Sequence, residues 1–269
     1  MLRRVWPANG GELDTDSPDA RATLLDWYTP HDPEYLRLNF VTTLDGRVAG
    51  TDGTSESLTS RADRMILGVI RQHADVVLVG AETVRREGYL RPRRAALAIV
   101  TASGDLTGHR LDEKRPDQQR PDHNPSAHQR SDRLNQPAAP VDTAALGPVI
   151  VLTTATGAER AAAALPWATV LVLPMAEHGR IMPAEIVSTL RSQGYFGIAA
   201  EGGPTFATQL VGTSLVDELC VTVIPTLGGP ALPLLGQAET PAWPLTARQL
   251  LLDDAGAQYG RWDLRRSPS

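Results

Sequence analysis

The chain has 269 residues, 42% hydrophobic and 21% charged, with a formal net charge of -5. That length holds one large domain or two small ones and buries a core without disulfide or metal staples. The acidic balance argues against a nucleic-acid groove or an anionic membrane as main partner. No apolar run is long enough to span a bilayer. The first residues, MLRRVWPANGGELD, carry basic side chains with no apolar stretch behind them, so a cytoplasmic location is expected.

Taken in chain order, residues 1–34 read as an irregular, Pro-rich extension. From there, short β-branched runs alternate with helical patterns. Strands are expected at Leu36–Thr42, Val76–Val79, Leu97–Thr101, Val149–Thr153, Thr169–Leu173, Gly197–Ala200 and Glu218–Ile224. Helices are expected at Arg61–Gln72, Ala81–Arg86, Gly157–Leu165, Ala184–Gln193 and Thr205–Val211. This order implies a mostly parallel sheet covered by helices on both faces. Gln249–Asp253 and Gln258–Leu264 flank Asp254-Ala255-Gly256-Ala257 and predict a terminal antiparallel hairpin. Gly104–Pro140 balances acidic against basic side chains, lacks aromatics and is poor in apolar residues, so it predicts a loop-like or disordered insertion within the domain.

Rare residues exclude whole chemistries. Cys220 is the only cysteine, which removes disulfides, a CxxC pair and a thiolate zinc cage. It lies in the apolar run LCVTVI, where a buried thiol is the expectation. Lys114 is the only lysine, so there is no P-loop and no lysine Schiff base. The histidines form no HExxH, and no metal site is expected. GxGxxG is absent as well.

Three strand-to-helix junctions remain for chemistry. At Ala199-Ala200-Glu201-Gly202-Gly203-Pro204-Thr205 an apolar strand runs into two glycines and a helix-starting proline, an arrangement suited to an anion. A tight turn with a good helix start is the plain alternative. At Val79–Tyr89, Gly80 ends a strand, and Thr83, Arg85 and Arg86 set a hydroxyl and two guanidinium groups beside it. Solvated arginines are the alternative there. Thr101 and Ser103 lie just past the next strand. At Leu38–Ala49 a strand ends in Thr42-Thr43 and the turn Asp45-Gly46, and the alternation of Asn39 with Phe40 makes one strand face polar. Ser60 and Asp63 read as a capping box for the next helix.

Jointly, LNFVTTLDGRVAG, LTSRADRMILGVIRQHADVVLVGAETVRREGY and AAEGGPTFATQLVGTSLVDELCVTVIPTLGG resemble the reductase domain of riboflavin biosynthesis, in a stand-alone form like that of actinobacteria. The resemblance covers roughly Leu36 to Leu264 apart from the insertion. It implies a single reductase domain over 35–269, a dihydrofolate reductase-like fold, NADPH as cofactor and a homodimer. It implies reduction of 5-amino-6-(5-phosphoribosylamino)uracil to its ribityl form. By this likeness Glu201, Gly202, Gly203, Pro204 and Thr205 hold the pyrophosphate. Gly80, Thr83 and Arg85 follow the cofactor, with Arg85, Thr101 and Ser103 at the 2′-phosphate. Thr42, Thr43, Asp45 and Gly46 line the nicotinamide and substrate side, and Asn39, Thr59 and Ser60 face the pyrimidine or ribose. Asp45 and Glu201 are the candidate catalytic carboxylates, with bracing of a loop the alternative for either, and Arg61, Arg64 or Arg91 is available for substrate phosphate.

Two departures qualify the likeness. One cysteine rules out the family's deaminase half. Where many relatives carry DDPxLT, this chain reads Arg86-Glu87-Gly88-Tyr89-Leu90-Arg91-Pro92. A dihydrofolate or pteridine reductase is the alternative enzyme, and a non-catalytic nucleotide-binding protein is the alternative of another class.

Overall fold

The computed structural model describes residues 1–8, 10–88, 91–111, 146–176, 179–236, 242 and 244–264. From residue 112 onward, the expected insertion Gly104–Pro140 lies outside them. Its first part is not the loose polar loop expected: Leu106 and Leu111 are buried with Val77, Val79, Leu97 and Ile99. These two leucines supply the apolar anchor that composition averaged over the longer segment concealed.

The strands are β1 (Leu2–Trp6), β2 (Glu12–Leu13), β3 (Tyr35–Thr43), β4 (Val76–Gly80), β5 (Ala96–Thr101), β6 (Val149–Thr153), β7 (Thr169–Val172), β8 (Gly197–Glu201), β9 (Glu218–Ile224), β10 (Thr246–Asp253) and β11 (Gln258–Asp263). The helices are α1 (Ala20–Trp27), α2 (Arg61–His73), α3 (Ala81–Arg86), α4 (Ala158–Ala164), α5 (Pro183–Ser192) and α6 (Pro204–Gly212). One sheet joins the strands in the order β2-β1-β10-β11-β9-β3-β8-β4-β5-β6-β7. The run from β9 to β7 is parallel, and β1, β2, β10 and β11 add the antiparallel flank.

Alternation along the strands sorts the core into two faces. Leu36, Leu38, Leu78, Ala98, Ile198 and Ala200 pack on one side with Ile186, Val187 and Leu190 of α5 and Ala207 and Leu210 of α6. The opposite face takes α2 through Ile66, Val69 and Ile70 over Ala199, Cys220 and Tyr259, and α3 and α4 through Val84 and Ala161. Cys220 is buried, and burial, with Glu218 beside it, pushes its thiol up to about 12.

The N-terminal segment corrects the expectation of an irregular extension. Residues 1–34 contribute β1, β2 and α1, and Leu2, Leu24 and Tyr28 are buried against α2 and the sheet. A buried cluster fastens this segment. The Glu218 carboxylate accepts from Arg37 Nε at 3.0 Å and Nη2 at 2.8 Å, and also from Arg261 Nε. The two guanidinium groups then donate to the carbonyls of Trp27, Tyr28 and Thr29, where α1 ends. Cations at a helix C-terminus satisfy its unpaired carbonyls and complement its dipole.

The order of the parallel strands places the functional cleft. From β3 the chain moves outward through β4, β5, β6 and β7, then returns to β8 between β3 and β4, and only then crosses to β9. Ligands of open α/β sheets bind where the winding reverses, beyond the carboxyl ends of the strands. Here β8 stops at Glu201, opposite Asn39, while β3 continues alongside β9 to Thr43.

Candidate active site at the carboxyl ends of the central strands

A cleft of about 1140 Å³ opens at that point. This exceeds the usual space for one small ligand and leaves room for a dinucleotide with a second molecule. Its lining includes Gly80, Thr83, Arg85, Thr101 and Ser103, together with Glu201, Gly202, Gly203, Pro204 and Thr205 and with Asn39 and Thr59. The three separate stretches of sequence therefore meet in one cavity.

The glycines at the β8–α6 junction have a steric cause. Gly202 and Gly203 have φ of 91° and 64°, a region that side chains with a Cβ rarely adopt. A Cβ at Gly202 would come within 2.6 Å of Thr83 Cγ2 and Oγ1, so only glycine lets this loop lie against α3. Pro204 then opens α6, and the first intrahelical bond is Ala207 N–H to Gly203 O at 3.0 Å. The N–H groups of the preceding residues have no place in the helical ladder and are available to an anion. At Gly80, a Cβ would meet no protein atom within 4 Å, so backbone is left bare where β4 enters the cleft. These features suit the pyrophosphate and riboses of a dinucleotide.

Arg85 lines the cleft but is partly committed: Nη1 donates to Asp105 O at 2.7 Å, and the Asp105 carboxylate also binds Arg160 at 2.8 Å. Backbone and side-chain donation from Thr107, helped by the two arginines, holds the Asp105 carboxyl below the ordinary range. Ser103 Oγ accepts from Asp105 N–H at 3.3 Å. Arg93 and Arg94, both exposed, extend the same wall.

Glu201 is buried and grips Arg71 with both oxygens, accepting from Nε at 2.8 Å and Nη2 at 2.6 Å. Charge-assisted bidentate geometry of this kind fixes orientation as well as energy. The expected polar face of β3 is present: Arg37 and Asn39 share one side, abreast of Glu201 on β8 and Cys220 on β9. Asp63, which also lines the cleft, is buried on α2 and accepts the Thr222 hydroxyl. Burial, the largest influence, raises its carboxyl above the ordinary range, and the charges of Glu201 and Glu56 add to this.

Some expected residues stand elsewhere. Asp45, expected as a catalytic carboxylate, does not line the cleft. It braces a turn, accepting from Thr43 Oγ1 at 2.6 Å, Gly228 N–H at 3.1 Å and Arg47 Nε at 3.4 Å. Donation from Thr43 and then Gly228 lowers its pKa. Thr42, Thr43 and Gly46 likewise belong to this strand end and turn rather than to the cleft lining. The reason is local: Thr43 also accepts Arg47 N–H at 2.9 Å, and Gly46 has φ of 79°, so the Asp-Gly signal is consumed by the turn itself. Ser60 caps α2 by accepting Asp63 N–H at 3.0 Å and lies 3.1 Å from Tyr259 Oη, outside the cleft lining. Of the three arginines considered for substrate phosphate, Arg61 pairs with Asp16 and Arg91 donates to Gly147 O, both away from the cleft. Arg64 lines it, paired with Glu56.

Residue-type motifs found Arg64 but missed the rest of the α2 wall. Arg64, Leu67, Gly68, Arg71 and Gln72 all line the cleft, and their spacing of i, i+3, i+4, i+7 and i+8 is one helical face. That periodicity was available in RADRMILGVIRQH. Glu87 was noted only as part of a departure from the family. Its carboxylate accepts Ser55 N–H at 3.2 Å and Ser55 Oγ at 2.9 Å, tying the end of α3 to the loop before α2.

The chain belongs to the RibD C-terminal domain family, whose profile matches residues 34–258. The riboflavin biosynthesis protein RibD of Aquifex aeolicus is 35% identical over 60 residues, which is 22% of this chain and 17% of that protein. A pyrimidine reductase-like protein from Corynebacterium diphtheriae has a TM-score of 0.66 at 20% identity, covering 92% of this chain and 99% of the other. A deaminase/5-amino-6-(5-phosphoribosylamino)uracil reductase from Thermotoga maritima has a TM-score of 0.63 at 17% identity, covering 86% and 56%. At these identities the structural likeness is one of fold. The family takes its name from the riboflavin biosynthesis protein RibD. No described helix is long and apolar enough to cross a membrane, and no cluster of metal-ligating side chains occurs among the described residues.

Proposed function

We propose that the protein is an NADPH-dependent reductase that converts 5-amino-6-(5-phosphoribosylamino)uracil to the ribitylamino compound. The observation that carries this reading is the convergence of Gly80–Arg85, Thr101–Ser103 and Glu201–Thr205 on one cleft at the strand reversal point. The bound nicotinamide would supply hydride for the sugar carbon C1′. The protein's own task is to hold that carbon in reach and exclude water.

The orphan N–H groups before Ala207 and the Thr205 hydroxyl hold the pyrophosphate. Arg85, Thr101 and Ser103 take the 2′-phosphate end. Because those groups line the β4–β5 side, the reacting end would lie toward β3 and α2. Asn39, Thr59 and Arg64 there offer amide, hydroxyl and guanidinium contacts to a phosphorylated pyrimidine riboside. The Arg71–Glu201 pair presents fixed polar atoms at the end of β8 without a free charge.

Turnover tests the reading. NADPH oxidation, followed by nicotinamide absorbance, is expected with the phosphoribosylaminouracil and not with dihydrofolate. The reverse pattern would favour a pteridine-type reductase. Binding of NADPH without turnover of either would favour a non-catalytic nucleotide-binding protein.

A further inference from the structure

Five carboxylates line the cleft among the described residues: Glu56, Asp63, Glu82, Glu87 and Glu201. Four are committed. Glu56 holds Arg64 at 2.5 Å, Glu82 holds Arg86 at 3.4 Å, Glu201 holds Arg71, and Glu87 takes the amide and hydroxyl of Ser55. Asp63 alone has neither an arginine nor a backbone N–H on its carboxyl. Its partner is the hydroxyl of Thr222 on β9. It is 7% exposed, on the α2 side that covers Asn39 and Glu201. A buried carboxyl with one neutral partner keeps its proton more readily than an ion-paired one.

We propose that Asp63 is the acid that opens the sugar ring of the substrate before reduction. The inference rests on the function proposed above and adds the proton donor to it. The proton leaves the Asp63 carboxyl for the ring oxygen, and the bond between that oxygen and C1′ breaks with its electron pair going to oxygen. The lone pair of the exocyclic nitrogen forms the C1′=N bond. A neutral acid and a neutral glycosylamine thus become a carboxylate and an iminium, and the new Asp63 carboxylate lies beside the positive charge it has created. Water returns the proton after reduction.

The groups around Asp63 agree with this task. Glu201 on β8 and Glu56 before α2 raise its carboxyl, as burial does, while Thr222 on β9 and Arg64 on α2 lower it. Tyr259 on β11 is near enough to feel its charge and stays neutral, with its own hydroxyl pushed well up. A raised folded value means that ionisation penalises the folded state. Stability falls as pH rises through the interval between the unfolded and folded values, and a neutral isostere escapes that loss.

The experiment compares wild type, D63N and T222V by steady-state kinetics across pH, NADPH titration and thermal unfolding. For D63N the expected result is a kcat lower by about 10²–10⁴-fold, loss of the wild-type decline in kcat at high pH, unchanged NADPH affinity and a Tm no lower than wild type. T222V keeps the acid but loses a group that lowers its pKa, so the high-pH decline should move to higher pH. D63N with wild-type kcat, or with the decline intact, overturns the proposal. So does a T222V profile that does not move, which also decides the matter if D63N fails to fold. A wild type that does not reduce the pyrimidine overturns the functional reading and this role with it. An active wild type beside an equally active D63N overturns the role alone.

Discussion

At the scale of single residues, Glu218 joins two arginines and the end of α1. It is one carboxylate between two buried guanidinium groups, which in turn hold the end of α1. Burial pushes its carboxyl up, but Arg37 and Arg261 outweigh that and hold it below its ordinary value of 4.5. A lowered folded value means that the pair's stabilisation is fully present above the unfolded value and is lost as pH falls through the folded one. Removing the charge strands both arginines. Glu218→Gln is therefore expected to cost about 3–5 kcal/mol, measured by urea unfolding at neutral pH. The difference between the two proteins should shrink as wild type is taken below pH 4.5. A variant as stable as wild type at neutral pH would show that the cluster contributes little. Asp45 teaches the opposite lesson: a polar residue in a motif shared with a family is here consumed by its own turn.

At the scale of elements, periodicity carried most of the information. Every strand expected from residue 36 onward is present within one or two residues, save that β10 begins three residues before the expected Gln249, and all five expected helices are present as closely. These elements have long apolar runs or clear punctuation: Ser60 before α2, Pro183 before α5 and Gly203-Pro204 before α6. What escaped was α1, because its apolar positions, Ala20, Leu24 and Trp27, are few and set among Arg21 and Asp26 between proline-rich turns. Their spacing of i, i+4 and i+7 was nevertheless legible as a helix face. β1 begins with Leu2-Arg3-Arg4, whose alternation is too short to read, and its place in the sheet comes from pairing with β10 near the other end of the chain. The segment taken for an extension therefore belongs to the core. Leu24→Ala is expected to destabilise by about 2–5 kcal/mol, read as a lower denaturation midpoint with unchanged m-value. A loss below half a kilocalorie would be the signature of a peripheral appendage instead.

At the scale of the whole molecule, topology does what no single motif could. The residues proposed to face the cofactor come from β4–α3, the end of β5 and β8–α6; the last is far from the first two in sequence, and the strand order makes all three neighbours. The sequence could reveal the glycines, hydroxyls and arginines of that cleft because each is unusual where it stands. It could not reveal that Asp63 and Arg71 face the same space, since a capping acid and a helix-surface arginine are ordinary until the fold turns α2 toward Glu201. The basic side chains there sit in a chain whose overall charge is negative, so attraction of a polyanionic ligand is local to the cleft.

The most direct test of the central claim is calorimetric titration of the protein with NADPH and, separately, with NADH. The account predicts saturable binding of one NADPH per chain and markedly weaker binding of NADH, because Arg85, Thr101 and Ser103 would meet a phosphate that NADH lacks. Equal affinity for the two would contradict the assignment of that wall, and the absence of heat with either would contradict the cleft as a dinucleotide site.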